Sequence, residues 1–445
     1  MRKQLVILAT AGLMLTAAVP ARADVYTVNP GESIQAAIDV ASNGDTINVA
    51  PGTYTETLTI AHKGIHIRGA GAGQTILDGT GGSADHLVYV VETDGGPNPL
   101  CFSGFTLRNA PLTGSGRFPF RVFMAHDGST VIAENNTVEC ADDPDNTWGI
   151  YASQCDPGSS IVFQGNTIND CWMNSFLIEK VMGDCEIANN KISQAEDGGS
   201  AIYSMSYAIG AEHNDVTGRH YYHDNEIAAD GAGGYGVTVA SAPWWSGTTH
   251  GKYDDLEISH NTIANIADGA QGISLQVGGA DGGVVNAVIA CNSLSSVAGS
   301  DASKGINLDG PVEGTEIRGN SITGFGKGVW FSGQDIGGTE LFPTDSEVRW
   351  NNIVGNSVYG VLNESTSEIV AAQANWWGDA TGPYDNKTLP GVPNYSNPGG
   401  LGDEVSSYVD YQNWLSAEYR CPIPEPGALG LMGLGLLSVV RRRRS

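Results

Sequence analysis

The stretch EIRGNSITGFGKGVWF, Glu316 to Phe331, holds a short apolar strand that runs into Asn-x-Ile, crosses a Gly-rich bend and resumes as Gly-Val-x-Phe. The same pattern recurs along the chain, as Asn136-Thr-Val, Asn166-Thr-Ile, Asn190-Lys-Ile, Asn225-Glu-Ile, Asn261-Thr-Ile, Asn292-Ser-Leu, Asn320-Ser-Ile and Asn351-Asn-Ile, with Asn375-Trp-Trp closing the series. Successive markers lie 24 to 36 residues apart. Most have an apolar residue three positions earlier: Phe163, Ile187, Tyr222, Ile258, Ile289, Ile317 and Val348. Asn214-Asp-Val has the asparagine, but Ala211 precedes it and Asn225 follows only 11 residues later, so it is not a marker.

A second strand follows most markers, at Gly149-Ile150, Gly236-Val237, Gly272-Ile273, Gly305-Ile306, Gly328-Val329 and Gly360-Val361. Short alternating strands split by Gly and Asn bends predict β-structure. A coil of this length cannot bury its inward face alone, whereas stacked coils share a continuous core. The reading is therefore an all-β solenoid of stacked coils, with Ile317, Ile322, Val329 and Phe331 facing the core and Asn320 at the corner. Asn suits the corner because it tolerates the left-handed conformation. Stacked asparagines ~4.8 Å apart can also share amide hydrogen bonds. A sandwich lacks such a repeat, and a propeller blade uses four strands. The open end needs a cap, and GESIQAAIDVA supplies a short helix with Ser33 as N-cap and Ile34, Ala37, Ile38 and Ala41 on one face.

Residues 1–23 read as a signal peptide, with Arg2 and Lys3, an apolar run from Leu5 to Ala18, and Ala21-Arg22-Ala23 as cleavage site. The other end reads PIPEPGALGLMGLGLLSVVRRRRS. Its apolar run, Gly427 to Val440, is shorter than the roughly 20 residues of an ordinary spanning helix, and four arginines follow it. Pro-Glu-Pro, apolar run and arginines in that order resemble the PEP-CTERM sorting signal of bacterial exported proteins. The expected division is 24–383 for the β-helix with its N-terminal cap, 384–420 for a C-terminal cap and linker, and 421–445 for the sorting segment. The whole chain has a net charge of −27, and without both ends it keeps 15 bases against 48 acids, near −33. Such a body repels nucleic acid. A polyuronate partner would need a local basic cleft or bridging Ca²⁺.

GDTINVAPGTYTE after the short helix, the Asn-x-Ile coils and NWWGDATGP followed by VSSYVDYQNWL resemble bacterial right-handed parallel β-helix proteins of the pectin-lyase-like superfamily. The resemblance spans roughly Asp24 to Leu415 and implies the fold; that fold carries lyases, hydrolases, esterases and proteins without catalysis. Two catalytic signatures of the superfamily are missing. RFPFR, Arg117 to Arg121, is one residue short of the Arg-x-Pro-x-x-Arg of pectate lyases, yet it is the most basic insertion and is suited to an anionic ligand. The polygalacturonase motifs Asn-Thr-Asp and Arg-Ile-Lys do not occur, and THGK is not Gly-His-Gly.

The densest polar region is Glu196 to Asp255. There Glu196, Arg219, His220, His223 and Lys252 are the candidates for acid–base and charge-pairing roles, and Tyr221, Trp244 and Trp245, with Arg117 and Arg121 from the earlier insertion, for binding sugar. No metal-ligand spacing is recognisable. Cys140 with Cys171, and Cys155 with Cys185, lie about one coil apart and are candidate bridges, while Cys101, Cys291 and Cys421 have no evident partners. The expected protein is an exported, envelope-associated β-helix engaging an extracellular polysaccharide, as a non-catalytic surface or matrix protein or as a lyase or glycosidase. Its other partners are the export and sorting machinery, and it meets a membrane only through the C-terminal segment before processing.

Overall fold

The computed structural model describes residues 23–111, 116–140, 147–193, 199–207, 215–229, 234–243, 250–297, 301–387 and 395–422. Among them, three long parallel sheets of 14, 11 and 11 strands run the length of the molecule. The first contains Val25–Val28 and Glu316–Arg318, the second Gly52–Tyr54 and Ser321–Thr323, and the third Leu58–Ala61 and Lys327–Ser332. The opening stretch is thus one coil carrying three strands, one per sheet. The Asn bend turns the chain from sheet 1 into sheet 2, and the Gly bend turns it from sheet 2 into sheet 3.

Core positions follow the alternation. Ile317, Ile322, Val329 and Phe331 are all buried, and each pairs in register with the equivalent residue of the next coil. The helix Ile34–Val40 closes the N-terminal end; Ser33 Oγ accepts from the Ala36 N–H, and Ile34 and Ile38 are buried. At the other end Val409–Asp410 adds a last rung to sheet 1.

The corner asparagines form an unbroken ladder from Asn136 to Asn375. From Asn136 to Asn351 each Nδ2 donates to the Oδ1 of the asparagine one coil on, as in Asn225 to Asn261 at 2.9 Å, and to a carbonyl of the preceding coil, as in Asn225 to Ile187. The left-handed residue is not the asparagine, as the sequence suggested, but the one before it: Asn135, Gly165, Asn189, Asp224, His260, Cys291, Gly319, Trp350 and Ala374 all have positive φ. Asparagine suits this place because its short amide carries an acceptor oxygen and a two-hydrogen donor, which together serve the coils on both sides.

The glycines opening the sheet 3 strands serve close approach. A Cβ on Gly305 would stand 2.5 Å from the Gly328 carbonyl oxygen, and one on Gly328 2.6 Å from that of Gly360. Two bridges are present. Cys140–Cys171 links adjacent coils as expected, whereas Cys291 bonds to Cys421 across 130 residues. The expectation of a Cys155–Cys185 bridge is corrected: both are free, buried thiols in the core.

Candidate functional site

The strand His220–His223 separates the predicted residues by parity. His220 and Tyr222 point inward and are fully buried, so His220 is not the exposed acid–base group that its sequence context suggested. Its Nε2–H donates to the Val181 carbonyl at 3.0 Å, its Nδ1 accepts from the Tyr222 hydroxyl at 2.8 Å, and burial pushes its pKa down to about 4. Tyr221 and His223 stand on the outer face of sheet 1, rings 3.7 Å apart. Arg219 lies 4.4 Å over Tyr221 and pairs with Glu257. His223 is clamped between Asp224 at 2.7 Å and Glu186 at 3.1 Å. Burial lowers its pKa, but the two carboxylates outweigh burial and hold it above the ordinary value. Lys252 lies elsewhere, on the exposed side of the strand His250–Tyr253, in a separate three-stranded sheet. Glu196, Trp244 and Trp245 lie outside the described residues. The structure therefore brings Arg219, Tyr221 and His223 together, and it keeps His220 and Lys252 apart from them.

The outer face of sheet 3 carries a longer constellation. Arg121 is not in a loop but in the strand Phe118–Ala125. Its guanidinium is 5.2 to 5.4 Å from the ring centres of Tyr89, Phe118, Phe123 and Tyr151, and it pairs with Asp85 at 3.2 Å. Arg117, at the edge of this patch, bridges to Thr147 of the next coil. One coil further on, Glu179 accepts from the hydroxyls of Tyr151 and Tyr207 and pairs with Lys180 at 3.0 Å. Burial pushes the Glu179 carboxyl up, but those three partners together hold it below the usual range. Burial and the Glu179 charge push both tyrosines well up. Beyond lies a cleft of about 270 Å³ lined by Asn174, Ser200, Tyr203, Tyr235, Thr238 and Gln276.

Strand register makes these positions one file. Tyr89, Arg121, Tyr151, Leu177, Tyr203, Thr238, Ser274, Asn307, Trp330 and Leu362 stand directly above one another. Trp330 lies 5.1 Å from Lys304 and 5.8 Å from Lys327. The sequence pointed to Arg121 through its local basicity. The rest required the register, because these residues lie on strands of successive coils that are separated by loops of different length.

Among the described residues, His260, Cys291 and Cys421 form the one group of three metal-ligating side chains, with donor atoms within 4.8 Å of one another. The two sulfurs are bonded to each other, which leaves no thiolate for an ion. Among the described residues no set of three carboxylates that would suit Ca²⁺ gathers there or on the sheet 3 face.

The topology and the stacked coils define a right-handed parallel β-helix. Among solved structures the chain is similar to the A-module of the mannuronan C-5 epimerase AlgE6 of Azotobacter vinelandii, with a TM-score of 0.50 and 18% identity over 88% of this chain and 95% of that one. The AlgE4 A-module of the same organism gives 0.40 and 14% over 86% and 94%. A PL6 family polysaccharide lyase of Pseudopedobacter saltans gives 0.34 and 13% over 89% and 100%. At such identities the likeness concerns the fold. No curated protein matches the chain in sequence. Residues 422–444 match the PEP-CTERM protein-sorting motif, so the protein is exported to the bacterial cell envelope or outer surface. Among the described residues no helix is long and apolar enough to cross a membrane.

Proposed function

We propose that this protein binds an extracellular polysaccharide along the outer face of sheet 3, as a surface or matrix protein and without turnover. The file from Tyr89 to Trp330 carries the reading: its rungs, ~4.8 Å apart and so close to the length of one pyranose, hold rings at Tyr89, Tyr151, Tyr203 and Trp330 and a cation at Arg121, with the polar Thr238, Ser274 and Asn307 between Tyr203 and Trp330. Rings stack on sugar faces, and Lys304 and Lys327 beside Trp330, with Arg121 further along, set cations on one face of an otherwise acidic body. The titratable groups of the patch are already engaged. Glu179 is held by three donors, Lys180 by Glu179 and the Tyr207 ring, and Arg121 by Asp85 and four rings. Burial and the Glu179 charge keep Tyr151 and Tyr207 protonated, so neither hydroxyl rests as a base. The second reading is a polysaccharide lyase or glycosidase. It draws on the Lys180–Glu179–Tyr207 cluster on the same face, and on the epimerase and lyase named among the structures of this fold.

The test is affinity and product formation by the purified mature chain on neutral and uronic polysaccharides, with Ca²⁺ or chelator. Tyr203→Ala and Arg121→Ala should each weaken retention on the preferred glycan by about tenfold, in keeping with the ~1 kcal/mol or more of a stacked or cation–π contact. Retention unaffected by both substitutions would remove sheet 3 as the binding face. Unsaturated ends or new reducing ends would establish the enzyme instead.

A further inference from the structure

The chain does not leave the molecule at the end of the β-helix. After Val409–Asp410 the tail doubles back along the Asn corner. The Leu415 N–H donates to the Asn375 carbonyl. Tyr419 is held at both ends by Asn352, its N–H donating to Oδ1 at 2.8 Å and its carbonyl accepting from Nδ2 at 2.9 Å. The Tyr419 ring stacks near Trp350, with centroids 6.5 Å apart. Cys421 then bonds to Cys291, two coils further back. Gly319 lies in the same file between Trp350 and Cys291, and a Cβ there would come within 3.1 Å of Cys421 Sγ and 3.2 Å of Cys291 Sγ. The bare glycine is what lets the tail cross to its partner.

The sorting motif begins at residue 422, directly after the bridge. It therefore departs from the flank of the helix, at the corner between sheets 1 and 2. Sheet 3 is the wall with no strand end at that corner. The apolar run starts at Gly427, six residues beyond Cys421. At ~3.3–3.6 Å per extended residue, that tether reaches about 20 Å at most. A tail released from the bridge and from its contacts back to Leu415 would reach about 40 Å.

We propose that this corner, with Trp350, Tyr419 and the Cys291–Cys421 bridge, is the surface that faces the lipid bilayer while the sorting segment is in place. The β-helix then lies on its flank, with sheet 3 turned outward. The bridge is the latch that sets this orientation; a short tether at one point on the side of a rod constrains its roll as well as its distance. The inference does not depend on what sheet 3 binds. Trp350 suits the position, since it is one of the exposed large apolar side chains and indole favours the membrane interface.

The test uses the oxidised full chain on vesicles of phosphatidylethanolamine and phosphatidylglycerol. The vesicle-bound fraction, separated by flotation, is probed by hydroxyl-radical footprinting with mass spectrometry. Oxidation of Trp350 and Tyr419 should fall severalfold relative to the chain in detergent, while Trp330 on sheet 3 stays unchanged. In the C291S/C421S double variant the chain should still float, but Trp350 should lose its protection relative to Trp330. Failure to float, equal protection of Trp330 and Trp350, or protection of Trp350 that survives loss of the bridge would each overturn the proposal.

Discussion

Asn320 Nδ2 donates to Asn351 Oδ1 at 2.9 Å, and Asn320 Oδ1 accepts in turn from the backbone and side-chain N–H groups of Asn292. Each rung of the corner thus depends on its neighbours on both sides. Asn320→Ala would strip the acceptor from Asn292 and the donor from the Ile289 carbonyl in a fully buried place. With ~1–3 kcal/mol for each buried group left unpaired, the expected loss is about 2–4 kcal/mol, read from urea unfolding. Asn320→Asp should do no better, because it buries a charge and turns an oxygen towards the Ile289 carbonyl. A loss below about 1 kcal/mol would mean that the ladder is ornament.

Burial of His220 has a definite sign in pH. Its folded pKa of about 4 lies below the ordinary 6.5, so the unfolded chain takes up the proton first as pH falls. Stability should drop from about pH 6.5 downwards by up to ~1.4 kcal/mol per pH unit, until the folded imidazole itself titrates near 4. His223 has the opposite sign: its raised pKa adds stability that is full below its unfolded value and is lost as pH rises through the folded one. His220→Gln keeps His223 in place, so the difference between the two proteins isolates His220. Between pH 7 and pH 5 the variant should lose about 2 kcal/mol less than the parent in urea midpoint titrations. Parallel profiles for the two would contradict the buried neutral imidazole.

The cysteines should separate by reactivity. Burial pushes the Cys155 thiol up to about 12, drives Cys185 well above its usual value, and raises the half-buried Cys101 to about 11. Alkylation of the native protein near neutral pH should modify Cys101 slowly and leave Cys155 and Cys185 untouched until denaturant is added. Non-reducing peptide maps should show Cys140–Cys171 and Cys291–Cys421. A Cys155–Cys185 peptide from native protein would refute this arrangement.

Two glycine substitutions should cost stability for different reasons. Gly305→Ala places a methyl 2.5 Å from the Gly328 carbonyl and 2.5 Å from Ile322 Cγ2. Overpacking of that kind should cost about 2 kcal/mol or more. Gly337→Ala meets nothing within 4 Å but keeps a φ of 64°, and should cost only about 1 kcal/mol from backbone strain. Thermal unfolding of both variants would rank them, and the reverse order would discount the close packing of the sheet 3 corner.

The coils, their core and the asparagine ladder were legible because each is tied to one residue type at a nearly fixed offset. Ile317, Asn320 and Ile322 keep their spacing whatever the loops do. The same alternation, anchored at Tyr222 three before Asn225, already places His220 inside, but the polarity of His-Tyr-Tyr-His hides it. The sheet 3 file was hidden for another reason. Tyr89, Arg121, Tyr203 and Trp330 come together only through strand register across coils of unequal length, and no spacing in the chain announces that. Cys421 finds Cys291 because the tail reverses direction, so their separation carries no trace of the coil period.

The positive-φ position before each ladder asparagine has a wider consequence. The asparagine fixes the corner by itself, and the residue beside it varies in identity from coil to coil: asparagine, glycine, aspartate, histidine, cysteine, tryptophan and alanine all stand there. The frame is decoupled from its trim. Seven of the nine positions carry a side chain in that left-handed conformation, at ~1–2 kcal/mol each, while the rungs of the sheets behind them stay paired.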